Sequence, residues 1–199
     1  MYRIIKRFFD ILLSITGIIV LSPLLVLLSI VIKLDSKGPI LFKQKRVGIN
    51  KSYFMIYKFR TMQLETPNDL PTHLLGNPDM FITRIGSFLR KTSLDELPQL
   101  FNIFLGQMSI IGPRPALWNQ YDLIAARDKV NANSIRPGLT GWAQINGRDE
   151  IPIEVKAVYD GYYIENVGLF FDIKIFIKTI LNVLNSEGVK EGSNNDTDR

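Results

Sequence analysis

The sequence predicts a helix-rich α/β protein: an N-terminal membrane helix joined to a compact body that carries a small β-hairpin. Three observations predict it. Residues 11–32 run ILLSITGIIVLSPLLVLLSIVI without a charge, two short apolar strands flank a glycine turn near residue 48, and several segments beyond residue 80 repeat their apolar residues at helical spacing. A chain of 199 residues suits one domain with an appendage, and an apolar fraction of 46% is ample for a core. The expected organisation is a membrane helix over 1–36, a cytoplasmic catalytic body over 37–185 and a polar tail over 186–199.

The uncharged run spans roughly 33 Å as a helix, enough to cross a bilayer core. No small-residue cleavage site follows it, and it exceeds the length of a signal core. Arg3, Lys6 and Arg7 precede it, and Lys33, Lys37, Lys43, Lys45 and Arg46 follow it, so the positive-inside tendency retains both ends in the cytoplasm. Pro23 lacks an N–H and crowds the carbonyl of Ile19, which predicts a kink at Ser22-Pro23, with the Ser22 hydroxyl able to satisfy the freed group. A helix that enters, bends and returns to the same face fits both observations, and a plain spanning helix remains the alternative. In either case the body lies in the cytoplasm.

Ile40-Leu41-Phe42 and Tyr53 to Tyr57 read as strands of a hairpin around Gly48 to Asn50. Residues 64–80 hold three prolines and no periodicity, so a loop is expected, with His73 on the surface. Phe81, Ile82, Ile85, Phe88 and Leu89 predict one helix, Leu97 to Leu105 a second, Ala116 to Val130 a third, and Glu154 to Glu165 a fourth weakened by Gly161. Leu169 to Leu184 is strongly apolar with Lys174 and Lys178 one turn apart. It reads either as a core helix or as a helix in the membrane interface whose lysines reach headgroups. Asp196-Thr197-Asp198, in the polar tail, is not expected to bind metal.

With no cysteine and one histidine, thiolate chemistry and histidine clusters are excluded, which leaves Asp, Glu, Lys or Tyr for catalysis. The net charge of +5 suits an anionic partner. Three stretches could carry chemistry. In the first, Arg90 to Glu96, Ser93 with Glu96 matches a capping box. Pro98 suits a helix that starts nearer Leu97, which would leave Asp95 and Glu96 at its mouth as nucleophile and metal or proton handler. In the second, Pro113 and Pro115 stiffen the loop around Arg114, either as a simple turn or to present a guanidinium to phosphate or a uracil edge. In the third, Arg136 and Arg148 flank Gly138, Gly141 and Gly147, which would let backbone approach a ligand, and Trp142 could stack on a base or anchor at the interface. Together they describe an arginine-rich diphosphate site beside a membrane. A carboxylate nucleophile at phosphorus, with Mg²⁺ neutralising the diphosphate, suits that set.

The sequence resembles the small monotopic phosphoglycosyl transferases, or bacterial sugar transferases, through KRFFD, LSP, KGPILFKQKRVG, YKFRTM, RKTSLDELPQLFNIFLGQMSIIGPRP, IRPGLTGWAQINGR and FFDIKI in order along nearly the whole chain. The resemblance implies a re-entrant helix broken at Ser22-Pro23, amphipathic helices at the cytoplasmic face of the bacterial inner membrane, and a ping-pong reaction. Asp95 would attack the β-phosphate of a UDP-sugar, releasing UMP, and polyprenol (undecaprenyl) phosphate would then take the sugar phosphate. The resemblance gives Glu96, with Asp95, to Mg²⁺ and Arg90, Arg114 and Arg148 to the ligand. Lys58, Arg60 and Asp172 fall in shared motifs with less definite roles. GPRPALWNQYDLI is similar to members that use N-acetylated 6-deoxy-sugars in capsule pathways; whether the product enters capsule, O-antigen (lipopolysaccharide) or another glycoconjugate is left open. A membrane adaptor for downstream glycosyltransferases and a glycosyltransferase that releases UDP are the rival readings. The membrane segment argues against nucleic acid as the anionic partner.

Overall fold

The computed structural model describes residues 2–64, 66, 80–147 and 151–184. His73, Arg148, nearly all of the expected 64–80 loop and Asp196 to Asp198 lie outside the described residues. The fold is helix-rich α/β. It begins with α1 (Tyr2–Asp35), a single helix of 34 residues, followed by β1 (Leu41–Val47) and β2 (Tyr53–Phe59). Then come α2 (Arg84–Lys91), α3 (Gln99–Phe104), β3 (Ser109–Ile111), α4 (Tyr121–Lys129), β4 (Gly138–Thr140), α5 (Trp142–Ile145), α6 (Ile153–Asn166) and α7 (Leu169–Leu184).

α1 continues through Pro23. Proline leaves the Ile19 carbonyl without its main-chain donor, and the Ser22 hydroxyl donates to that oxygen at 2.7 Å. The helix lies along the body over most of its length. Near its start the Asp10 carboxylate accepts from the Ser109 hydroxyl and the Ile110 N–H at 3.0 and 2.9 Å. At Gly17 a Cβ would sit 3.2 Å from Leu100. Near its end Leu28 and Ile32 are buried with Phe59 and Leu89. The opposite face exposes Ile4, Phe8, Leu12, Ile19, Val26 and Ile30.

The hairpin forms as expected, antiparallel from Leu41↔Phe59 to Val47↔Tyr53. Alternation buries Phe54 and Ile56, which puts Lys58 on the same inward face. The free edge of β2 is closed by Asn102: its amide oxygen accepts from Tyr57 N–H at 2.9 Å and its amide nitrogen donates to the Met55 carbonyl at 2.8 Å.

β3 and β4 form a second, parallel pair, Ser109↔Gly138 and Ile111↔Thr140, that the sequence reading did not contain. Gly138 and Gly141 permit it. A Cβ on Gly138 would fall 2.1 Å from the Gly112 nitrogen, and one on Gly141 2.0 Å from the Gly112 oxygen. At these glycines two segments of the chain approach one another closely. Ile111, Ile145, Tyr163 and Ile175 form the core beneath the pair, each fully buried side chain contributing about 1.5–3 kcal/mol.

The expected third helix is shorter than predicted, starting at Tyr121, because residues before it bind the hairpin: Val47 N–H donates to the Ala116 carbonyl at 2.9 Å. The fourth helix tolerates Gly161 because a Cβ there would meet Val130 at 2.9 Å. α7 is not a core helix. Only Asp172 and Ile175 are buried along it, while Leu169, Phe170, Ile173, Phe176, Ile177, Ile180, Leu181 and Leu184 are exposed. Its two lysines are exposed. Lys174 and Lys178 stand over the Trp142 ring, 5.5 and 5.9 Å from its centroid, and that ring packs on Phe171 and Tyr162 in the body.

Candidate active site

The site begins where α2 stops. Thr92 ends the helix, Ser93 turns left-handed at φ 56°, and Leu94–Glu96 make a tight 3₁₀ turn. The Ser93 side chain makes no capping bond, so the capping box is not formed. α3 starts after Pro98, which occupies its N-cap. The two acids therefore stand ahead of α3, as the later helix start requires.

Around them the body gathers cations. Lys58 reaches in from β2, its Nζ 2.7 Å from Glu96 Oε1 and 3.7 Å from Asp95 Oδ2. Arg114, from the loop after β3, places Nη2 3.0 Å from the same Glu96 oxygen. Arg90 donates from Nε to the Thr61 hydroxyl at 2.9 Å and its charge acts on Asp95. The two carboxylates are held differently. Burial pushes the Asp95 carboxyl above its usual range, and neighbouring Glu96 adds to this; Lys58, Arg90 and Arg114 oppose it without reversing it. Burial would also raise Glu96, but Arg114 and Lys58 outweigh it and hold that carboxyl well below its usual range.

Two residues that sequence reasoning missed fix the Arg114 loop. Arg127 of α4 donates from Nη1 to the Arg114 carbonyl at 2.8 Å, and its Nε and Nη2 each lie 2.7 Å from Asp160 Oδ2 on α6. Both side chains of this ion pair are almost wholly buried. The available signal was slight: a lone acid among the aromatic residues of VYDGYY. The flanking prolines serve the chain, the Pro113 carbonyl accepting from Gly138 N–H at 2.8 Å and the Pro115 carbonyl from Arg46 at 3.0 Å.

Other expected site residues stand elsewhere. Arg60 is buried at the end of α1, its guanidinium donating to the Lys37 and Ser36 carbonyls and to the Ser36 hydroxyl. Arg136 donates from Nε to the Gly106 carbonyl at 2.8 Å and faces the start of α1. Asp172 clasps that start: Lys6 Nζ lies 2.6 Å from its Oδ2, the Tyr2 hydroxyl donates to the same atom, and the Tyr163 hydroxyl donates to Oδ1 at 2.8 Å.

Among the described residues no three acidic or histidine side chains come together, so a metal cage built from protein alone is absent there. Asp95 with Glu96 fits Mg²⁺ in its usual manner, with one or two carboxylates and the remaining ligands from water and phosphate oxygens. Buried adjacent carboxylates ringed by Lys58, Arg90 and Arg114 suit chemistry on a diphosphate.

Comparison with known proteins agrees. The sequence model of the family described as bacterial sugar transferase matches residues 1–186. An uncharacterized sugar transferase, EpsL, of Bacillus subtilis is 39% identical over 94% of this chain and 91% of its own length. The undecaprenyl-phosphate glucose phosphotransferase of Komagataeibacter xylinus is 41% identical over 88% of this chain, and the UDP-N-acetylgalactosamine-undecaprenyl-phosphate N-acetylgalactosaminephosphotransferase of Aeromonas hydrophila 38% over 95%. This chain spans only 35% and 46% of the length of those two relatives. With a family match along residues 1–186 and relatives aligned over nearly all of its length, the protein belongs to the bacterial sugar transferase family.

Proposed function

We propose that the protein transfers a sugar 1-phosphate from a UDP-sugar to undecaprenyl phosphate through a covalent intermediate on Asp95. The observation that carries this reading is the buried Asp95–Glu96 pair set among Lys58, Arg90 and Arg114. An Asp95 oxygen attacks the β-phosphorus, and the bond from that phosphorus to the bridging oxygen breaks. UMP departs with the electron pair, leaving an aspartyl phospho-sugar. An oxygen of the lipid phosphate then attacks the same phosphorus, the Asp95 carboxylate leaves, and the lipid diphosphosugar is formed. Neither step needs a proton transfer at the attacking group, since both nucleophiles are anions. Arg114 and Lys58 hold the diphosphate and offset charge on the phosphoryl oxygens. Mg²⁺, held by Glu96 with Asp95, would supply further charge neutralisation on the departing phosphate.

Both ends of α1 rest on the same body, through Asp10 and through Leu28 and Ile32, which supports a helix that enters and leaves one membrane face rather than crossing. The exposed apolar face of α7 supports a monotopic seat for the body on that surface. The two relatives above differ in sugar, glucose against N-acetylgalactosamine, so the donor here is left as a UDP-sugar.

The test is nucleotide release by the detergent-solubilised protein with undecaprenyl phosphate, Mg²⁺ and a panel of UDP-sugars. UMP is expected with one donor, falling about 10³-fold or more in Asp95→Asn. UDP as the product would refute phosphate transfer. No nucleotide, together with no labelled sugar phosphate trapped on Asp95, would favour the adaptor.

A further inference from the structure

Thr61, two residues beyond β2, grips α2 at two places. Its carbonyl accepts from the N–H of Thr83, the residue that caps the start of α2, at 3.0 Å. Gly86, in the first turn, lets the helix close on that carbonyl: a Cβ there would fall 2.0 Å from the Thr61 oxygen. Arg90 comes one turn later on the same face, and its Nε donates to the Thr61 hydroxyl at 2.9 Å. Thr61 is buried, so little water competes for that bond.

The two grips do different things. The carbonyl bond is made by the main chain and survives a change of side chain, so it places the helix. The hydroxyl bond places one guanidinium. α2 ends just beyond Arg90, at Thr92, and Asp95 follows in the tight turn after it. Arg90 is thereby held where its charge acts on Asp95. A planar guanidinium fixed at Nε keeps one orientation for its two Nη groups, and order set in advance need not be imposed when a ligand binds. We propose that Thr61 is a positioning residue for the transfer reaction, its hydroxyl aiming Arg90 at the phosphates of the bound donor. This role rests on the reading of Asp95 as the site of transfer and adds to it a side chain that touches no substrate.

Two measurements test it on the full chain in detergent. The first follows UMP release by the wild type, Thr61→Val, Thr61→Ser, Arg90→Gln and Thr61→Val/Arg90→Gln. Thr61→Val, which keeps the shape and the carbonyl, is expected to lower kcat/KM about 10–100-fold, and Thr61→Ser to recover most of it. On the Arg90→Gln background Thr61→Val is expected to add no more than about a twofold loss. The second is the ¹⁵N side-chain signal of the Arg90 Nε–H, assigned by its disappearance in Arg90→Lys and observed without donor. It is expected to be ordered in the wild type and Thr61→Ser and mobile in Thr61→Val. A mobile Arg90 signal in the wild type would overturn the proposal even if Thr61→Val failed to fold. Equal losses from Thr61→Val on the wild-type and Arg90→Gln backgrounds would overturn it too, since Thr61 would then act by another route. A wild type that releases no UMP with any donor would instead fail the transfer reading, and an Arg90 signal that still follows the Thr61 hydroxyl tells that failure apart.

Discussion

Replacing Arg127 by Met leaves Asp160 buried without its partner and the Arg114 carbonyl without its donor. Asp160 Oδ2 sits 2.7 Å from both Nε and Nη2 of Arg127, with side chains only 6% and 1% exposed. Removing one member of so buried a pair costs about 3–5 kcal/mol. At the lower bound this is roughly a 150-fold loss in the folding equilibrium. Arg127→Met/Asp160→Leu removes both charges at once, and a buried pair replaced by apolar groups is often neutral. The residual cost is then the unpaired Arg114 carbonyl, about 1–3 kcal/mol. Thermal unfolding in detergent is expected to show a large loss in the single variant and recovery of most of it in the double. Initial rates of UMP release are expected to stay down about 10–100-fold in both, because the loop that aims Arg114 has lost its tether. Recovery of activity along with stability would refute this, and would leave the pair as a prop for the fold alone.

In the proposed reaction Asp95 attacks only when ionised, and its carboxyl is raised by burial, so UMP release is expected to fall on acidification at a pH above the ordinary Asp value of 3.8. Lys58→Met removes a cation that opposes the rise and should move this acid limb upward; a limb at or below 3.8, or a downward move, contradicts the assignment. A limb above pH 4.5 is distinct from loss of the Glu96 cluster. The depressed Glu96 carboxyl contributes stability that is complete above its ordinary 4.5 and is lost only as pH falls below that toward its folded value. Ser22→Ala strips the Ile19 carbonyl of its donor and should cost about 0.5–1.5 kcal/mol in thermal unfolding, whereas adding Pro23→Ala restores a main-chain N–H and should abolish the difference. Because the chain has no cysteine, single cysteines at Arg3 and Lys37 give a clean topology assay. Both are expected to resist an impermeant maleimide in intact cells and to react in opened ones, and labelling of either in intact cells excludes the re-entrant arrangement.

Elements with a strong local signature were legible in the sequence. The uncharged run gave α1, alternation around Gly48 gave the hairpin, and helical spacing gave α6 and α7 nearly to the residue. β3 and β4 were not legible: each has three residues, and their pairing depends on contact between Gly112 and Gly138 across 26 positions of chain. The acids and Arg114 could be nominated because proline and helix-start chemistry mark them locally. What the sequence hid was assignment among arginines. Arg60, Arg114, Arg127 and Arg136 all lie in basic or motif-rich stretches, yet one staples α1, one meets Glu96, one is a buried tether and one faces a separate cavity. Those fates depend on acids and carbonyls far away in the chain, which no spacing rule reports.

The contacts of Glu96 bear on which anions the proposed site would admit. In the resting protein its Oε1 already satisfies both Lys58 and Arg114, so an incoming ligand meets a seat held by a tethered competitor. Tethering gives that carboxylate an effective concentration on the order of millimolar or higher. A lone phosphate or a mononucleotide must evict it with a single phosphoryl group. A diphosphate brings a second phosphoryl group, spans both cations and displaces it more readily. On the proposed chemistry the same carboxylate would set an entry threshold for the first, diphosphate-bearing substrate.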